Sequence, residues 1–474
     1  MIPTNRPTCF LVAIAVTGIA PASLLAQSPH AAGLAPTVRL TGKIREYLEA
    51  RARANQFSGM VLIARDGRPL FQQGYGRANY ASGALNTATT KFRLGSLGKQ
   101  FTASAILLLE SQGRLTVTDP VSKFFEDWPP AWASVTISHL LSHTGGLPRL
   151  TTQALVDISG LSRPAPAPGF RSIRQLMKPG EELQPLDFTP GEKFAYNNVG
   201  FIVLGMIVEK VSGKPYCGFL RTEIFRPAGM ADTDCEDPTA IVERKADGYT
   251  RVDTTLLNAP YVDMRFPAGA GQSSSTTSDL LLWDRALTTG RVLPDAQRAK
   301  LFVPHLANYA YGWWVEQKFG RRVYWHRGNI PGFVAIMARY PEQGLMIAVL
   351  SNVDRAPVRP MSIELAAITF GEKYELPRVH TRAPVDPSTY DGLVGRYTRN
   401  GRPADSLELV RDGNRLIARV NTGAGEFELF PETATQFFAS WGEYYLTFTR
   451  DNAGRAAGIV IRYEGEEFAW TRSQ

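Results

Sequence analysis

The order of strand-like and helical segments is the strongest constraint on the fold of this chain. A hairpin is predicted near its start, where residues 59–64 and 70–75 flank an Asp66-Gly67 turn. Later strand-like segments are joined by short turns, which favours antiparallel pairing. They lie at residues 311–316, 321–325, 333–340 and 345–352. Strands at both ends with helices between them predict an α+β domain with one antiparallel sheet.

Five segments have helical periodicity, and they divide between this sheet and a second lobe. The segments 40–54 and 357–370 lie outside the strands in chain order, so we expect them to cover the sheet. The segment 96–111 contains three successive leucines and is too apolar for a surface helix, which predicts a helix buried in the domain centre. Helices at 199–211 and 216–225 complete a predicted all-helical lobe.

The pattern becomes purely β towards the end of the chain. Prolines punctuate a predicted linker at 377–385, so the preceding residues 36–376 are expected to form one two-lobed domain. The remainder, 386–474, is predicted to be a small antiparallel all-β barrel with a side-chain-filled interior. Its candidate strands are residues 393–398, 407–410, 416–420, 427–430, 444–449 and 458–463.

Residues 1–26 have the features of a secretory signal peptide. Arg6 is the single charge, an apolar stretch follows, and small residues near Ala26 fit a cleavage site. No later run approaches the length of a membrane span. We therefore expect a periplasmic or secreted protein with no stable membrane span after cleavage, with an uncleaved anchor as the alternative.

The cysteines and histidines give no metal signature. Cys217 and Cys235 remain after signal removal, and an oxidising compartment permits a disulfide between them. Two unpaired thiols are the other possibility, and the sequence leaves both open. Neither cysteine has metal-ligand spacing, and the six histidines are scattered. No metal and no cofactor are expected.

The charge balance names no macromolecular partner. The chain carries 52 basic and 44 acidic residues, and the net charge of +8 is not concentrated in any basic run. A nucleic-acid partner is therefore not expected. Prolines are frequent between residues 150 and 190, which predicts a long loop of the kind that forms lids or binding loops.

The most informative local pattern is Ser96-x-x-Lys99, an SxxK motif at the start of the apolar segment. Residues three apart lie on one face of a helix, so the two side chains are expected to point together. A serine hydroxyl needs a neighbouring base to become a nucleophile. Burial and a helix N-terminus both disfavour an ammonium, so Lys99 is expected to be neutral and to serve as that base.

Two further patterns add donors and acceptors. Tyr196 and Asn198 form a Tyr-x-Asn triplet on a loop end, where a phenol relays protons and an amide both donates to and accepts from a substrate. Between two strand-like segments lies His326-Arg327-Gly328, followed by Asn329. A glycine at 328 is predicted to let the backbone approach a ligand closely.

Together these motifs resemble the penicillin-recognising serine hydrolases. The motifs follow in the family's order, with Ser-x-x-Lys, then Tyr-x-Asn, then a basic-x-Gly strand. The segment 140–148, LLSHTGGLP, is similar to the family's LLSHTSGLP, and 224–230, IFRPAGM, is similar to its IFxPLGM. The resemblance covers about residues 36–372. It is nearest to class C β-lactamases, D-Ala-D-Ala carboxypeptidases, D-aminopeptidases and related esterases, and the barrel looks like their lipocalin-like appended domains.

The resemblance implies a role for each matching residue. Ser96 would be the acylated nucleophile, Lys99 its base or proton partner, and Tyr196 a phenolic acid or base. Asn198 would hold the substrate amide. The backbone N–H groups of Ser96 and Asn329 would form the oxyanion hole, beside Gly328 and His326 on the substrate side.

The third motif departs from the family pattern. His326 replaces the usual lysine, and His-x-Gly resembles the D-aminopeptidase and esterase-like branches, which argues against efficient β-lactam hydrolysis. Arg327 is an alternative carboxylate partner, although neighbouring strand residues point to opposite faces. His143, in the 140–148 segment, is interpreted as a structural hydrogen-bonding histidine.

The sequence therefore predicts an exported serine hydrolase that forms an acyl-enzyme at Ser96 and hydrolyses an amide or ester. The expected substrate is a D-amino-acid peptide, a β-lactam or a small ester. A catalytically weak penicillin- or peptidoglycan-binding or sensing module is the alternative. An α/β-hydrolase triad is excluded because its Gly-x-Ser-x-Gly motif would need glycine at position 94, where the chain has leucine.

Overall fold

The computed structural model describes nearly all of the two predicted domains. Its described residues are 29–148, 185–252, 255–265, 268–377, 379–421, 425–439, 444–451, 455–463 and 466–473. The predicted signal peptide and most of the predicted 150–190 loop lie outside these residues.

The first domain begins and ends with a helix, and most of its other helices lie between its first and its last strands. Its helices are α1 Pro29–Arg53, α2 Lys99–Ser111, α3 Ile137–Leu141, α4 Asn198–Ser212, α5 Tyr216–Phe219, α6 Arg226–Ala228, α7 Thr277–Thr289, α8 Asp295–Lys300 and α9 Val358–Phe370. Its strands are β1 Gly59–Arg65, β2 Arg68–Tyr75, β3 Phe92–Arg93, β4 Asp234–Cys235, β5 Tyr249–Val252, β6 Thr255–Asn258, β7 Ser273–Ser275, β8 Tyr309–Ala310, β9 Trp313–Lys318, β10 Arg321–Ile330, β11 Phe333–Tyr340 and β12 Leu345–Ser351.

The main sheet joins both ends of this domain, as the sequence predicts. Seven strands pair in the order β2-β1-β12-β11-β10-β9-β8, and their pairings are antiparallel. The β1–β2 hairpin turns at Asp66-Gly67, where both residues have positive φ, as a tight two-residue turn requires. β1 lies beside β12, so the first and last strands of the domain are neighbours.

Both faces of the sheet are buried, and the side chains alternate between two cores. On one face Val61 and Ile63 pack with Ile44 and Tyr47 of α1 and with Met361 of α9. The predicted helices at 40–54 and 357–370 therefore cover this face. Fully burying an aliphatic side chain of this size stabilises a fold by about 1.5–3 kcal/mol, so these contacts hold the terminal helices on the sheet.

The opposite face carries the helical lobe. Met60 and Leu62 share a core with Phe101 of α2 and Phe201 of α4. Ten residues of α2 are buried, and they include the polar Lys99, Gln100, Thr102 and Ser104, which places the helix in the domain centre as predicted. Its start differs from the prediction, because a 3-10 turn over Gly95–Gly98 precedes the α-helix. Gly95 has a φ of 51°, which is incompatible with a right-handed helix.

A disulfide resolves the question that the sequence leaves open. Cys217 and Cys235 are bonded and link the start of α5 to β4. β4 pairs with β7, and the segment just before β7 lines the candidate site described below. The predicted helix 216–225 consists of α5 and a π-helix over Leu220–Phe225.

The C-terminal strands close into an antiparallel barrel, as predicted. Its strands are β13 Gly395–Arg399, β14 Arg402–Asp412, β15 Arg415–Val420, β16 Gly425–Pro431, β17 Gln436–Ala439, β18 Tyr445–Arg450, β19 Ala456–Tyr463 and β20 Glu466–Arg472. The sequence analysis missed β17 and β20. The barrel has its own core, in which Tyr397, Leu416 and Phe437 are fully buried.

Ion pairs connect the barrel to the first domain. Lys318 lies 3.1 Å from Glu466, and Arg462 lies 3.0 Å from Glu375. Pairs this exposed contribute less than about 1 kcal/mol each. The barrel core shares no residue with the two cores of the first domain.

We expect the disulfide to stabilise the first domain. Replacing Cys217 and Cys235 together by alanine opens a crosslink between residues 18 apart in sequence, which should lower the free energy of unfolding by about 3 kcal/mol. Thermal unfolding followed by near-UV circular dichroism measures this loss. A reductant should lower the unfolding temperature of the wild type and leave the double variant unchanged. An equal response of both proteins would contradict a stabilising bond.

Candidate active site

The site lies where the start of α2 meets the end of β10. Ser96 lies in the 3-10 turn and is partly exposed, whereas Lys99 at the first position of α2 is fully buried. The Lys99 Nζ lies 2.9 Å from the Ser96 Oγ. The structure therefore brings the SxxK pair into hydrogen-bond contact with the hydroxyl at the surface and the amine beneath it.

Two carbonyl groups complete the surroundings of the Lys99 amine. Its Nζ donates to the Asn198 side-chain Oδ1 and to the Ala270 backbone oxygen, both at 2.8 Å. A carbonyl oxygen only accepts hydrogen bonds, so both contacts use an N–H of the amine. A neutral amine has two N–H groups and one lone pair, and the lone pair then points to the Ser96 hydroxyl.

Burial decides the protonation state of Lys99. Removal from water holds the pKa of this amine well below its ordinary value of 10.5, because desolvation disfavours the charged form. The neutral form is therefore favoured far more than in a solvated lysine. Serine, neutral amine and two acceptors form an arrangement able to move the Ser96 proton to Lys99.

Tyr196 lies beside this pair, at the end of a loop anchored by its neighbours. Asn197 caps α4 through a 2.8 Å bond from the Val199 N–H to its side-chain oxygen, and its amide donates to the Leu147 carbonyl. The His143 Nδ1 accepts the Asn197 N–H at 3.1 Å. His143 thus fixes the loop that presents Tyr196, in the hydrogen-bonding role that its sequence context indicates.

The environment of Tyr196 keeps its phenol protonated. Its ring packs on His143 with centroids 4.2 Å apart, and the Lys99 Nζ lies 5.0 Å from the ring centre. Burial raises the pKa of Tyr196 above its ordinary value of 10.0, while a hydrogen bond with Ser96 and the charge of Arg327 lower it less. At neutral pH this phenol is a proton donor.

Strand β10 contacts the start of α2 through backbone atoms. A Cβ on Gly328 would overlap the Leu94 carbonyl oxygen, and a Cβ on Gly95 would lie 3.0 Å from the Asn329 nitrogen. The glycine at 328 therefore admits the protein's own backbone, where the sequence analysis expected a ligand. Asn329 is exposed at this junction, with its main chain next to the turn that carries Ser96.

His326 is buried and has protein partners at both ring nitrogens. Its Nδ1 lies 2.7 Å from the Arg327 carbonyl oxygen and its Nε2 lies 3.0 Å from the Tyr309 hydroxyl. Burial is the largest cause that lowers the pKa of His326, to about 3. His326 is therefore neutral, and it supplies no positive charge at physiological pH.

The strand register separates His326 from Arg327. His326 pairs with Met337, which belongs to the core of the helical lobe, whereas Arg327 pairs with Ile336, which belongs to the core under α1 and α9. Residues directly opposite in an antiparallel pair share a face. His326 and Gly328 therefore share the face on which α2 lies, and Arg327 starts from the other.

The sequence analysis missed three contributors to the site. Asn197 follows the rule that asparagine before an apolar helical segment is a cap, so its role was readable. Ala270 lies between two glycines, a sign of close backbone approach. Tyr309, whose hydroxyl contacts His326, has no such signal, because nothing local distinguishes it from a packing tyrosine.

The remaining surroundings carry no metal-ligand cluster. Within the ranges that the structure describes, no group of three His, Cys, Asp or Glu side chains could hold a metal ion. No helix in those ranges is long and apolar enough to cross a membrane.

Comparison with known families decides the classification. Residues 43–369 match the family model described as Beta-lactamase. The chain belongs to the β-lactamase family. Members of this family include serine hydrolases and penicillin-binding proteins, in agreement with the resemblance drawn from the motifs.

Individual relatives of this β-lactamase family member extend over both domains. Penicillin-binding protein 4* of Bacillus subtilis (strain 168) is 30% identical over 450 residues, covering 90% of this chain and 97% of that protein. The octameric penicillin-binding protein homologue from Pyrococcus abyssi aligns with a TM-score of 0.62 at 23% identity, covering 91% of this chain and all of that one. The D-amino acid amidase from Ochrobactrum anthropi SV3, complexed with L-phenylalanine amide, aligns with a TM-score of 0.55 at 24% identity. This alignment covers 66% of this chain and 91% of the amidase chain. These two structures show the shared fold.

We expect Gly328→Ala to disrupt the junction between β10 and α2. The added methyl group overlaps the Leu94 carbonyl oxygen, and misplacing the nearby backbone by about 1 Å should lower kcat by about 100-fold. Hydrolysis of a p-nitrophenyl ester measures this. Gly42→Ala on α1, where a Cβ meets nothing within 4 Å, is the control and should retain full activity. Full activity of Gly328→Ala would show that the junction tolerates a side chain.

Proposed function

We propose that this protein is an exported serine hydrolase that cleaves amides or esters through an acyl-enzyme at Ser96. The observation that carries the proposal is the 2.9 Å contact between the Ser96 Oγ and the Nζ of the fully buried Lys99. Both N–H groups of a neutral Lys99 are used by carbonyl acceptors. Its lone pair therefore has one partner, the hydroxyl that must lose a proton.

Acylation then proceeds without any cofactor. Lys99 takes the Ser96 proton as the Oγ attacks the substrate carbonyl carbon, and the electron pair of the C=O bond moves to oxygen. The N–H groups of Ser96 and Asn329 stabilise that oxyanion. When the C=O bond re-forms, the bond to the leaving group breaks, and the leaving nitrogen or oxygen takes a proton from Tyr196, which regains one from Lys99.

Deacylation uses the same groups with water as the nucleophile. Water attacks the acyl carbon, its proton passes through the Tyr196 hydroxyl to the Lys99 amine, and Ser96 regains a proton as the ester bond breaks. Tyr196 and Lys99 therefore titrate as a coupled pair. Asn198 has its Oδ1 on Lys99 while the residue is exposed, so its amide N–H groups are placed to hold the substrate amide.

The neutral His326 favours one class of substrate. β-Lactams and C-terminal peptides carry a carboxylate that a fixed positive charge would recognise, and a buried, neutral imidazole does not supply one. We therefore place small esters and amides of D-amino acids first and β-lactams last. The likeness of the fold to a D-amino acid amidase supports this order.

A penicillin-binding or sensing module remains the second candidate. The observation in its favour is the relative named Penicillin-binding protein 4*, which aligns with nearly the whole chain. Such a module would form the same ester at Ser96 but would not release it. The two candidates share Ser96 and differ only in deacylation.

The export and domain assignments belong to the same proposal. We propose that residues 1–26 are a cleaved signal peptide, so the mature protein is periplasmic or secreted. Residues 36–376 would form the hydrolase domain, 377–385 the linker and 386–474 the barrel. The separate cores support the boundary between the hydrolase domain and the barrel.

We expect Ser96→Ala to abolish turnover of p-nitrophenyl esters and D-amino-acid amides, because the substitution removes the oxygen proposed to attack the substrate. The rate should fall by at least about 1000-fold. Intact mass spectrometry after fluorophosphonate treatment should show one adduct on the wild type and none on the variant. Ser111→Ala, at the far end of α2, is the matched control and should behave as the wild type. Equal turnover by Ser96→Ala and wild type would refute the proposal.

The same mass measurement with a penicillin separates the two candidates. A hydrolase shows an adduct that decays while product accumulates, or no adduct at all beside rapid ester turnover. A sensing module shows an adduct that persists for hours with no turnover of any ester or amide. The second result would overturn the hydrolase in favour of the module.

The shifted pKa values of Lys99, Tyr196 and His326 predict how kcat/KM depends on pH. Activity needs neutral Lys99, whose pKa lies well below 10.5, so kcat/KM should rise as pH increases through that lowered value and level off before pH 10. The phenol of Tyr196, with its raised pKa, keeps its proton across this range. His326, with a pKa of about 3, should add no inflection between pH 5 and 8. An inflection near pH 6.5 that disappears in His326→Asn would contradict a neutral His326.

A further inference from the structure

A continuous hydrogen-bond chain runs behind the candidate active site. It begins at the Tyr309 hydroxyl, crosses the His326 ring and ends at the Arg327 carbonyl, with links of 3.0 and 2.7 Å. Tyr309 and His326 are both buried. Unlike Ser96 or Lys99, Tyr309 belongs to none of the motifs that identify the family in this sequence.

The hydrogen bond between His326 and the Arg327 carbonyl determines which atoms donate and which accept along the hydrogen-bond chain. The Arg327 carbonyl only accepts, so the His326 Nδ1 must carry the proton. In a neutral imidazole the Nε2 is then an acceptor, and the Tyr309 hydroxyl must donate to it. Burial raises the pKa of Tyr309 well above its ordinary value, so the hydroxyl retains the proton that it donates.

The Tyr309 ring itself has little freedom to move. Its centroid lies 4.8 Å from that of His143 and 4.9 Å from that of Trp314, and it meets the Tyr196 ring edge-on at 6.2 Å. The hydroxyl is thus held by a packed aromatic cluster that also contains Tyr196. A phenylalanine at 309 would keep this packing and lose only the hydrogen bond.

The Arg327 end of the hydrogen-bond chain lies in a part of β10 that pairs with only one neighbouring strand. β9 pairs with β10 only as far as Trp325, whereas β11 pairs with it to Ile330. Beyond Trp325 the described strand pairing therefore holds β10 from one edge only. The His326 ring bonds the Arg327 carbonyl within this stretch, two residues before the Asn329 N–H assigned above to the oxyanion hole.

We propose that Tyr309 is a positioning residue that acts through His326 to hold the 327–329 backbone in register for oxyanion stabilisation. The inference rests on the proposed function for its catalytic readout. The proposal gives His326 a role other than charge recognition, because both of its ring nitrogens form hydrogen bonds within the protein. Tyr309 touches neither the reacting atoms nor the substrate.

The test compares Tyr309→Phe with Tyr311→Phe, which removes another buried hydroxyl, one bonded to Ser138 instead. For Tyr309→Phe we expect kcat on a p-nitrophenyl ester to fall about tenfold with KM within about twofold, since positioning acts in the transition state. Tyr311→Phe should retain wild-type kinetics. His326→Asn should lose a similar factor, and the double variant Tyr309→Phe/His326→Asn should lose no more than His326→Asn alone.

A spectroscopic readout separates this role from simple loss of packing. In the wild type labelled with 15N-histidine, His326 should show only the Nδ1–H tautomer from pH 5 to 8. In Tyr309→Phe the Nε2 resonance should shift, because its donor is gone, while the signals of His143 stay unchanged.

Each result bears on the proposal separately from the hydrolase assignment. Unchanged kcat in Tyr309→Phe, losses that multiply in the double variant, or an Nε2–H tautomer in the wild type would each overturn it. If Tyr309→Phe does not fold, the wild-type tautomer decides. Retention of activity by Ser96→Ala would instead remove the proposed function itself, and with it the oxyanion role of this chain.

Discussion

The removal of the Lys99 amine from water is the constraint on which this structure depends. A lysine with no exposed surface must be matched by acceptors or lose its proton, and here burial disfavours the charged form. This requires the start of α2 to lie in the middle of the domain. It also requires the start of α4, which carries Asn198, and the turn that carries Ala270 to converge on the Lys99 amine. The two-lobed architecture supplies these three elements around one point.

Replacing the family's lysine by His326 changes the electrostatics of the cleft. Both Lys99 and His326 are driven towards neutrality by burial, while the charge of Arg327 still acts on Tyr196. Fixed dipoles in a buried site stabilise charge that develops during a reaction. The proposed chemistry and the proposed order of substrates both follow from this burial.

The fold was predictable because periodicity is a local signal that burial on both faces reinforces. The continuous apolar run of β11 and the strongly apolar segment of α2 each predict an element buried on all sides, and both elements lie close to their predicted places. Strand β17 was missed because it has only four residues and its apolar residues are consecutive, and β20 was missed because most of its residues are exposed or half-buried. The 3-10 turn before Lys99 depends on the φ of Gly95, which reflects the approach of β10 and cannot be read from neighbouring residues.

The site was predictable to the extent that motifs mark it. Ser96, Lys99 and Tyr196 converge as the resemblance implies, and the His326 substitution was visible in sequence. The partners of His326 were not, because Tyr309 reaches it only through the folding of β8 against β9. Gly328 illustrates the same limit, since its missing side chain makes room for the backbone of Leu94. Long-range contacts between backbone atoms leave no trace in residue type beyond the glycine itself.

The wide separation of the site residues along the sequence has a consequence for the reactivity of the unfolded polypeptide. Asn198 and Ala270 lie about 100 and 170 residues beyond Lys99, and they meet its amine only in the folded domain. In an extended polypeptide Lys99 is an ordinary solvated ammonium, so it could not act as the base proposed for Ser96. The proposed reactivity is therefore coupled to folding, and an unfolded polypeptide would be chemically inert.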